Sequence, residues 1–402
     1  MLRAIKIRLY PNTTQATQIN KLLGCYRFVY NQCLARKINS YKENKVSENL
    51  STLGQFVHHE LLKDDNFIWL REQNTKVLKQ AVIDMLDAYK NFFEKHTGYP
   101  KFKSKKDNKQ SCRFELGTIS KRNVYTDYKL SLANIKNIKF RCSKKYAEYL
   151  QKHKANIRQA TLTKLPCGEY YLSILVDGDL THKVKESHNI IGIDLGIKDL
   201  TITSNGEKFE NKQFYRKQEN KLKILNRKFA KTQKDSNNHQ KIRVKIAKLN
   251  DKIRNQRLWY IHHIVNQLLN ESQVIVMEDL NVSGMMKNHK LSKSIQDVSF
   301  CELKQILQYK ASWNDKQVVF IDRFYPSSKL CSDCGYKNDS LQLSDRQWVC
   351  PKCGVVHDRD INAAKNILEE GKRIIGLSSP EFKRVGEQAI ASSMNLEQNV
   401  KY

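Results

Sequence analysis

Residues 189–206 read NIIGIDLGIKDLTITSNG: an apolar run carrying one acid, Asp194, then a short link, a second alternating run over 200–204, and the tight-turn pair Asn205-Gly206. The pattern predicts strand, link, strand and turn. A carboxylate held inside an Ile-rich strand costs roughly several kcal/mol in lost hydration unless it meets cations. A lone acid of this kind is also compatible with a solvated strand end, so its meaning depends on its company.

Two further segments supply that company. Residues 272–280, SQVIVMEDL, form another apolar run that delivers Glu278 and Asp279 at its carboxyl end. Residues 357–364, HDRDINAA, put Asp358 and Asp360 just before an Ala-rich helix start. Hard divalent cations take oxygen ligands, and two of them about 4 Å apart need three or four carboxylates converging from separate elements. A strand, a second strand and a helix start would supply them. Immediately upstream, Cys331-x2-Cys334, fifteen residues, and Cys350-x2-Cys353 have the spacing that folds two knuckles around one tetrahedral metal. Gly335 and Gly354 follow the two pairs, where tight turns bring backbone N–H groups to sulfur. A redox protein would need only one such pair. With all four positions filled the expected zinc is structural, and because the ribbon ends four residues before His357 it should fix where the third carboxylate lands.

GIDLGIKDL, VIVMEDLNV and CPKCGVVHDRDINAAKNI, in that order, resemble the TnpB family, the OrfB proteins of small bacterial insertion sequences and relatives of type V CRISPR effectors. The resemblance runs from residue 1 to about residue 370. It implies an RNA-guided DNA endonuclease with a RuvC-type, RNase H-like catalytic core, and carries the nuclease triad onto Asp194, Glu278 and Asp360. Asp358 is the weaker candidate for the third place, since the family motif uses the acid separated by two residues from Ala363-Ala364. Two Mg²⁺ ions on the triad would then serve phosphodiester hydrolysis. Guide RNA, double-stranded DNA and its displaced single strand are the implied partners, with a monomer carrying one RNA as the expected assembly.

Composition points the same way independently. The chain has 402 residues, 40% of them hydrophobic, enough for two or three cores. Lys and Arg number 71 against 41 acids, a formal charge of +30 that calls for a polyanion, with nucleic acid the obvious one and a ribosomal or membrane-surface role the alternative. No apolar run approaches the ~20 residues of a membrane span and no signal peptide opens the chain, so a cytoplasmic protein is expected. Ten cysteines at irregular spacing suit metal binding in a reducing compartment better than a disulfide framework.

Along the chain, residues 2–10 alternate as a strand with one basic face, and 12–95 read as helices broken at Gly24, over 43–51 and over 63–66. Val77, Ala81, Met85, Ala88 and Phe92 make the clearest core stripe, and Cys25 and Cys33 are read as core. In the stretch after Pro100, Lys101, Lys103, Lys105 and Lys106 interleave with Tyr99 and Phe102, a pattern suited to a nucleic-acid backbone, with a solvated basic loop as the alternative. Short strands recur over 112–179. Residues 212–257 hold 16 basic residues and 3 acids, read as a helical hairpin with a basic outer face that includes Arg243 and Lys245. His262 and His263 are taken as packing residues.

The expected fold is therefore multidomain α+β: a RuvC/RNase H-like mixed sheet (186–326 and 355–370) with the inserted helical hairpin and a zinc ribbon (327–354), plus a small, wedge-like β-barrel (1–11 and 110–185) interrupted by a helical recognition lobe (12–109), and a disordered tail over 371–402. A transposase joining strands with the same acids, a guided repressor and a zinc-ribbon transcription factor are the rival functions.

Overall fold

The structure is a computed structural model that describes residues 2–107, 109–115, 118–119, 123–178, 187–342 and 344–376. The chain divides into two compact units, Met1–Thr181 with Arg243–Lys248, and His182–Ile242 with Leu249–Tyr402. No helix among the described residues is long and apolar enough to cross a membrane.

The first unit runs β1 (Leu2–Tyr10), α1 (Thr13–Asn44), α2 (Leu50–Gln55), α3 (Thr75–Lys95), β2 (Gln110–Glu115), β3 (Lys129–Leu132), β4 (Ile135–Arg141), α4 (Lys144–Lys152), β5 (Ile157–Lys164) and β6 (Tyr170–Asp177). Its six strands pair antiparallel in the order β2-β5-β6-β1-β4-β3. The sheet curls. Ile119, just past β2, bridges to Leu132 of β3 at the opposite edge, and Ala133 N–H donates to the Thr118 carbonyl at 2.7 Å. Ile5, Ile7 and Leu9 of β1 share one hydrophobic core with Leu22, Val29 and Cys33 of α1 and with Val77, Ala81 and Met85 of α3. Packing therefore draws no line at residues 11/12 or 109/110.

Gly24 does not break the helix. Asn12 caps α1 in a capping box with Gln15, and the helix continues for 32 residues. One interior glycine costs about 1 kcal/mol relative to Ala. Around it Leu22, Leu23, Cys25 and Tyr26 are all buried, the two leucines alone gaining about 1.5–3 kcal/mol each, so burial wins. The interruptions expected near 43–51 and 63–66 are present, between α1 and α2 and ahead of the 3₁₀ turn Asp65–Leu70.

In the second unit β7 (Ile190–Asp194), β8 (Asp199–Thr203) and β9 (Lys208–Glu210) lead into α5 (Phe214–Ala230) and α6 (Asn237–Glu271). Then come β10 (Val274–Glu278), α7 (Val282–Met285), α8 (Ser292–Val298), α9 (Phe300–Trp313), β11 (Gln317–Ile321), β12 (Gln347–Val349), β13 (Val356–Asp358) and α10 (Arg359–Ile374). The sheet order is β11-β10-β7-β8-β9, parallel across β11, β10 and β7 and antiparallel across β7, β8 and β9. Helices cover both faces. Ile275 and Met277 pack with Ile261, Leu268 and Leu303 of α6 and α9, whereas Val274 and Val276 pack with Ile367 of α10. Burial on both faces explains why the central strand reads as an unbroken apolar run instead of an alternating one.

Helix α10 lies directly on β7. A Cβ placed on Gly192 would stand 2.2 Å from the Ala364 carbonyl oxygen and 2.7 Å from Leu368 N, and one on Gly371 would stand 2.4 Å from both methyls of Val276. Only hydrogen fits at either place. Gly192→Ala is therefore expected to destabilise the second unit by about 1–3 kcal/mol, the usual cost of overpacking, lowering its melting temperature by several degrees; thermal denaturation of the variant measures this. The helix also runs on to Ile374, past residue 371 where the tail is expected to begin, because Ile367 and Gly371 still bury a face on the sheet. The remainder of the expected tail, 377–402, lies outside the described residues.

Candidate active site and metal centre

Asp194 is the last residue of β7 and Glu278 the last of β10. These strands are parallel neighbours with Met277 opposite Ile193, so both acids leave the sheet at the same edge. Asp360 sits in the first turn of α10, whose close seat on Gly192 brings its N-terminus toward that edge. Burial, reinforced by the charges of Glu278 and Asp360, pushes the Asp194 carboxyl up to about 7. Burial also raises Glu278, opposed by a hydrogen bond from Ser327 Oγ to its Oε1 at 2.6 Å. Arg346 Nη1 stands 3.6 Å from Asp360 Oδ2. The carboxylates are thus crowded anions with little internal cation, although their oxygens do not all fall within 4.8 Å of one another. Such a group fits divalent cations with oxygen ligands.

The neighbouring acids are engaged elsewhere. Asp358 caps α10, accepting from Asp360 N and Ile361 N at 3.1 Å each, and pairs with Lys208 Nζ at 2.6 Å. Asp279 is paired with Lys304 and, at 3.4 Å, with Arg323, which hold its carboxyl below the usual range.

The four thiol groups converge. The Sγ atoms of Cys331 and Cys353 are 3.7 Å apart, those of Cys334 and Cys350 3.5 Å, and all four lie within 4.8 Å of one another. A tetrahedral zinc with Zn–S of about 2.3 Å spaces its sulfurs about 3.8 Å apart, so the donor set fits. Each knuckle closes through Gly335 or Gly354 at positive φ, with N–H bonds to the Cys331 and Cys350 carbonyls at 2.9 and 2.8 Å. His357 Nε2 lies 3.1 Å from Cys331 Sγ and Trp348 covers the His357 ring.

The ribbon is tied to α10 at several points. β12 pairs with β13, which runs straight into the Asp358 cap. Asn362 Nδ2 donates to the Leu330 carbonyl at 2.6 Å and its Oδ1 accepts from Ser332 N at 3.0 Å. Asn366 Nδ2 donates to the carbonyls of Ser327 and Leu330, both at 2.7 Å. Ser327 and Arg346 are supporting residues that motif reading passed over, and His357, Asn362 and Asn366 are quoted in the motifs without a role. The two asparagines stand four apart, one helix face, which is the signal that was available.

The candidate nucleic-acid contacts fall unevenly. Lys101, Lys105 and Lys106 are exposed, as is Lys245, while Arg243 is half-buried. Lys103 is different: its Nζ lies 3.9 Å from the Tyr30 ring centroid, its backbone is held by the Asn31 side chain, and burial lowers its pKa. It props the loop from inside, because its aliphatic stem gains more against tyrosine rings than in water. α5 and α6 follow one another across the short connection 231–236, where Phe229 and His239 stack at 4.1 Å, and Leu222, Leu249 and Ile253 are buried. His262 is half-buried, but His263 is exposed and stacks at 5.8 Å on Trp259, itself exposed, so it is no packing residue.

Three family models match this chain: "Probable transposase" over residues 173–289, "Cas12f1-like, TNB domain" over 300–367, and "Helix-turn-helix domain" over 1–46, where the described residues form one strand and one unbroken helix. A Streptomyces pristinaespiralis protein named as an RNA-guided DNA endonuclease is 34% identical over 372 residues, covering 92% of this chain and 89% of the relative. The Escherichia coli RNA-guided DNA endonuclease InsQ is 28% identical over 391 residues, 93% of each chain. Among solved structures, the protein of a Cas12f1-sgRNA-target DNA complex aligns with a TM-score of 0.54 at 14% identity, over 95% of this chain and 99% of that one, a likeness of fold.

Proposed function

The chain belongs to the TnpB family of RNA-guided DNA endonucleases, and from that premise we infer that it cuts DNA, chosen by a bound RNA, with Asp194, Glu278 and Asp360 of an RNase H-like, RuvC-type unit. The observation that carries this reading is the convergence of three acids from two parallel strand ends and a helix start, with Asp194 held up to about 7 by burial and by its two acidic neighbours. Anions kept together in this way favour an arriving divalent cation. Magnesium ions on these oxygens would supply the positive charge that makes water a nucleophile and steadies the leaving oxygen. The protein's own part is placement. Asp194 and Glu278 are fixed by the parallel register, Ser327 orients Glu278, and Asp358, Asn362 and Asn366 set the first turn of α10 that presents Asp360.

A structural zinc on Cys331, Cys334, Cys350 and Cys353 would hold that turn in place, since ribbon and helix start are one continuous piece. Exposed Lys101, Lys105, Lys106 and Lys245 would hold nucleic-acid backbones, contributing affinity without sequence information. One alternative has an observation behind it: the description "Probable transposase" for 173–289, under which the same acids would join strands.

RNA copurifying with the protein is expected to contain a constant part and a variable end. A duplex matching that end should be cut when a divalent cation is present, and exchanging the variable end should move the cut. Cutting that ignores the exchange, or strand joining of element ends without hydrolysis, would support the alternative.

A further inference from the structure

We propose that Phe324 is a stacking platform for an unpaired base of the DNA strand that occupies the carboxylate site. The side chain is 85% exposed, the highest value among the exposed large hydrophobic residues of the described chain. Its place is fixed from both sides. Three residues earlier, Ile321 is the parallel register partner of Glu278; three residues later, the Ser327 hydroxyl is bonded to Glu278 Oε1 at 2.6 Å. Three residues of chain reach at most about 10 Å, so Phe324 Cα lies within that distance of both Ile321 and Ser327, the two tethers to Glu278.

The backbone there is well held. Asp322 Oδ1 accepts from Phe324 N at 2.7 Å, Tyr325 N donates to the Asp322 carbonyl at 3.2 Å, and Ser327 N donates to the Tyr325 carbonyl at 2.8 Å. Tyr325, the next residue, packs on the core of the sheet's α10 face, while Phe324 points to solvent from the same rigid turn. An aromatic ring displayed on a fixed backbone loses little freedom when a base stacks on it. Bases stack on aromatic side chains without regard to sequence, as a guided enzyme requires of contacts outside its pairing.

The identity of the strand rests on the nuclease reading above, and the experiment separates the two. Phe324→Ala, loaded with the copurifying RNA, is expected to cut a matched duplex about tenfold more slowly than wild type, within the range of one base–aromatic stack. Phe324→Trp should restore the rate and Phe324→Leu should not. An abasic site walked through the target near the cut should slow wild type about tenfold at one position yet slow Phe324→Ala no further there. A readout that needs no cutting is the additional emission of Phe324→Trp, which a single-stranded oligodeoxynucleotide should quench and its abasic counterpart should not. Unchanged emission, wild-type cutting by Phe324→Ala, or rescue by Leu as full as by Trp overturns the platform. Absence of any Asp194-dependent cut in wild type counts instead against the nuclease reading, and the emission measurement still decides on Phe324.

Discussion

Alanine at Asp194 or at Glu278 is expected to lower cleavage by on the order of a thousandfold or more while guided binding to a matched duplex stays within a few-fold of wild type. Each substitution removes an oxygen ligand from the strand-end cluster and leaves the basic surface untouched. Metal charge at a phosphodiester is worth several kcal/mol in the transition state, and each ~1.4 kcal/mol is a factor of ten. The neighbouring acids are the internal control. Asp358→Ala removes the α10 cap and the 2.6 Å pair with Lys208, and losing such a cap costs about 1 kcal/mol of stability. Asp279→Ala frees Lys304 and Arg323 from an exposed pair. Both should slow cleavage far less than the triad variants. A single-turnover cleavage assay on all four decides the assignment: cutting near the wild-type rate by Asp194→Ala or Glu278→Ala would contradict it.

The second large effect is expected from Cys350→Ser. The thiolate spacing of 3.5–3.7 Å predicts one zinc per chain, and such knuckles fold around their metal, with apparent binding energies of about 10–16 kcal/mol in small zinc peptides. Losing one ligand should drop the metal content toward zero and open the ribbon to proteolysis, while the first unit keeps its fold. The catalytic consequence comes through α10. Its cap, Asp358, ends the ribbon strand β13, and Asn362 and Asn366 hold the carbonyls of Ser327 and Leu330. A misplacement of about 1 Å in a positioned group costs roughly a hundredfold in rate, so cleavage should fall by at least that factor. Metal analysis finding no zinc in well-folded, fully active protein would remove this link.

What could be read from the sequence divides along physical lines. Strands β7 and β10 were legible because each is a short apolar run ending on an acid, and the cysteine pairs because metal geometry constrains spacing more tightly than packing does. Gly24 misled because a local propensity of about 1 kcal/mol competes with burial that depends on α3 and β1, far away in sequence. Lys103 misled because a lysine in a basic run carries no mark of the rings of Tyr26 and Tyr30, far earlier in the chain, that enclose it. Gly192 went unnoticed for a similar reason: a glycine in a strand declares a close approach only once the approaching helix is seen. Ser327 and Arg346 are single polar residues in loops, and only the fold brings them to Glu278 and Asp360.

The central claim is that a bound RNA, and not charge alone, selects the DNA. A chain with a formal charge of +30 will hold any nucleic acid through phosphate contacts, and that part of its affinity falls steeply with salt because each contact releases counterions. Pairing with a guide adds discrimination that neutralising Lys101, Lys105 and Lys106 should leave intact, since those side chains carry no sequence information. The most direct measurement is binding of the protein, loaded with its copurifying RNA, to matched and scrambled duplexes at two salt concentrations. The account predicts that raising salt strips the scrambled duplex first and widens the gap between the two; matched and scrambled duplexes that remain indistinguishable at the higher salt would contradict it.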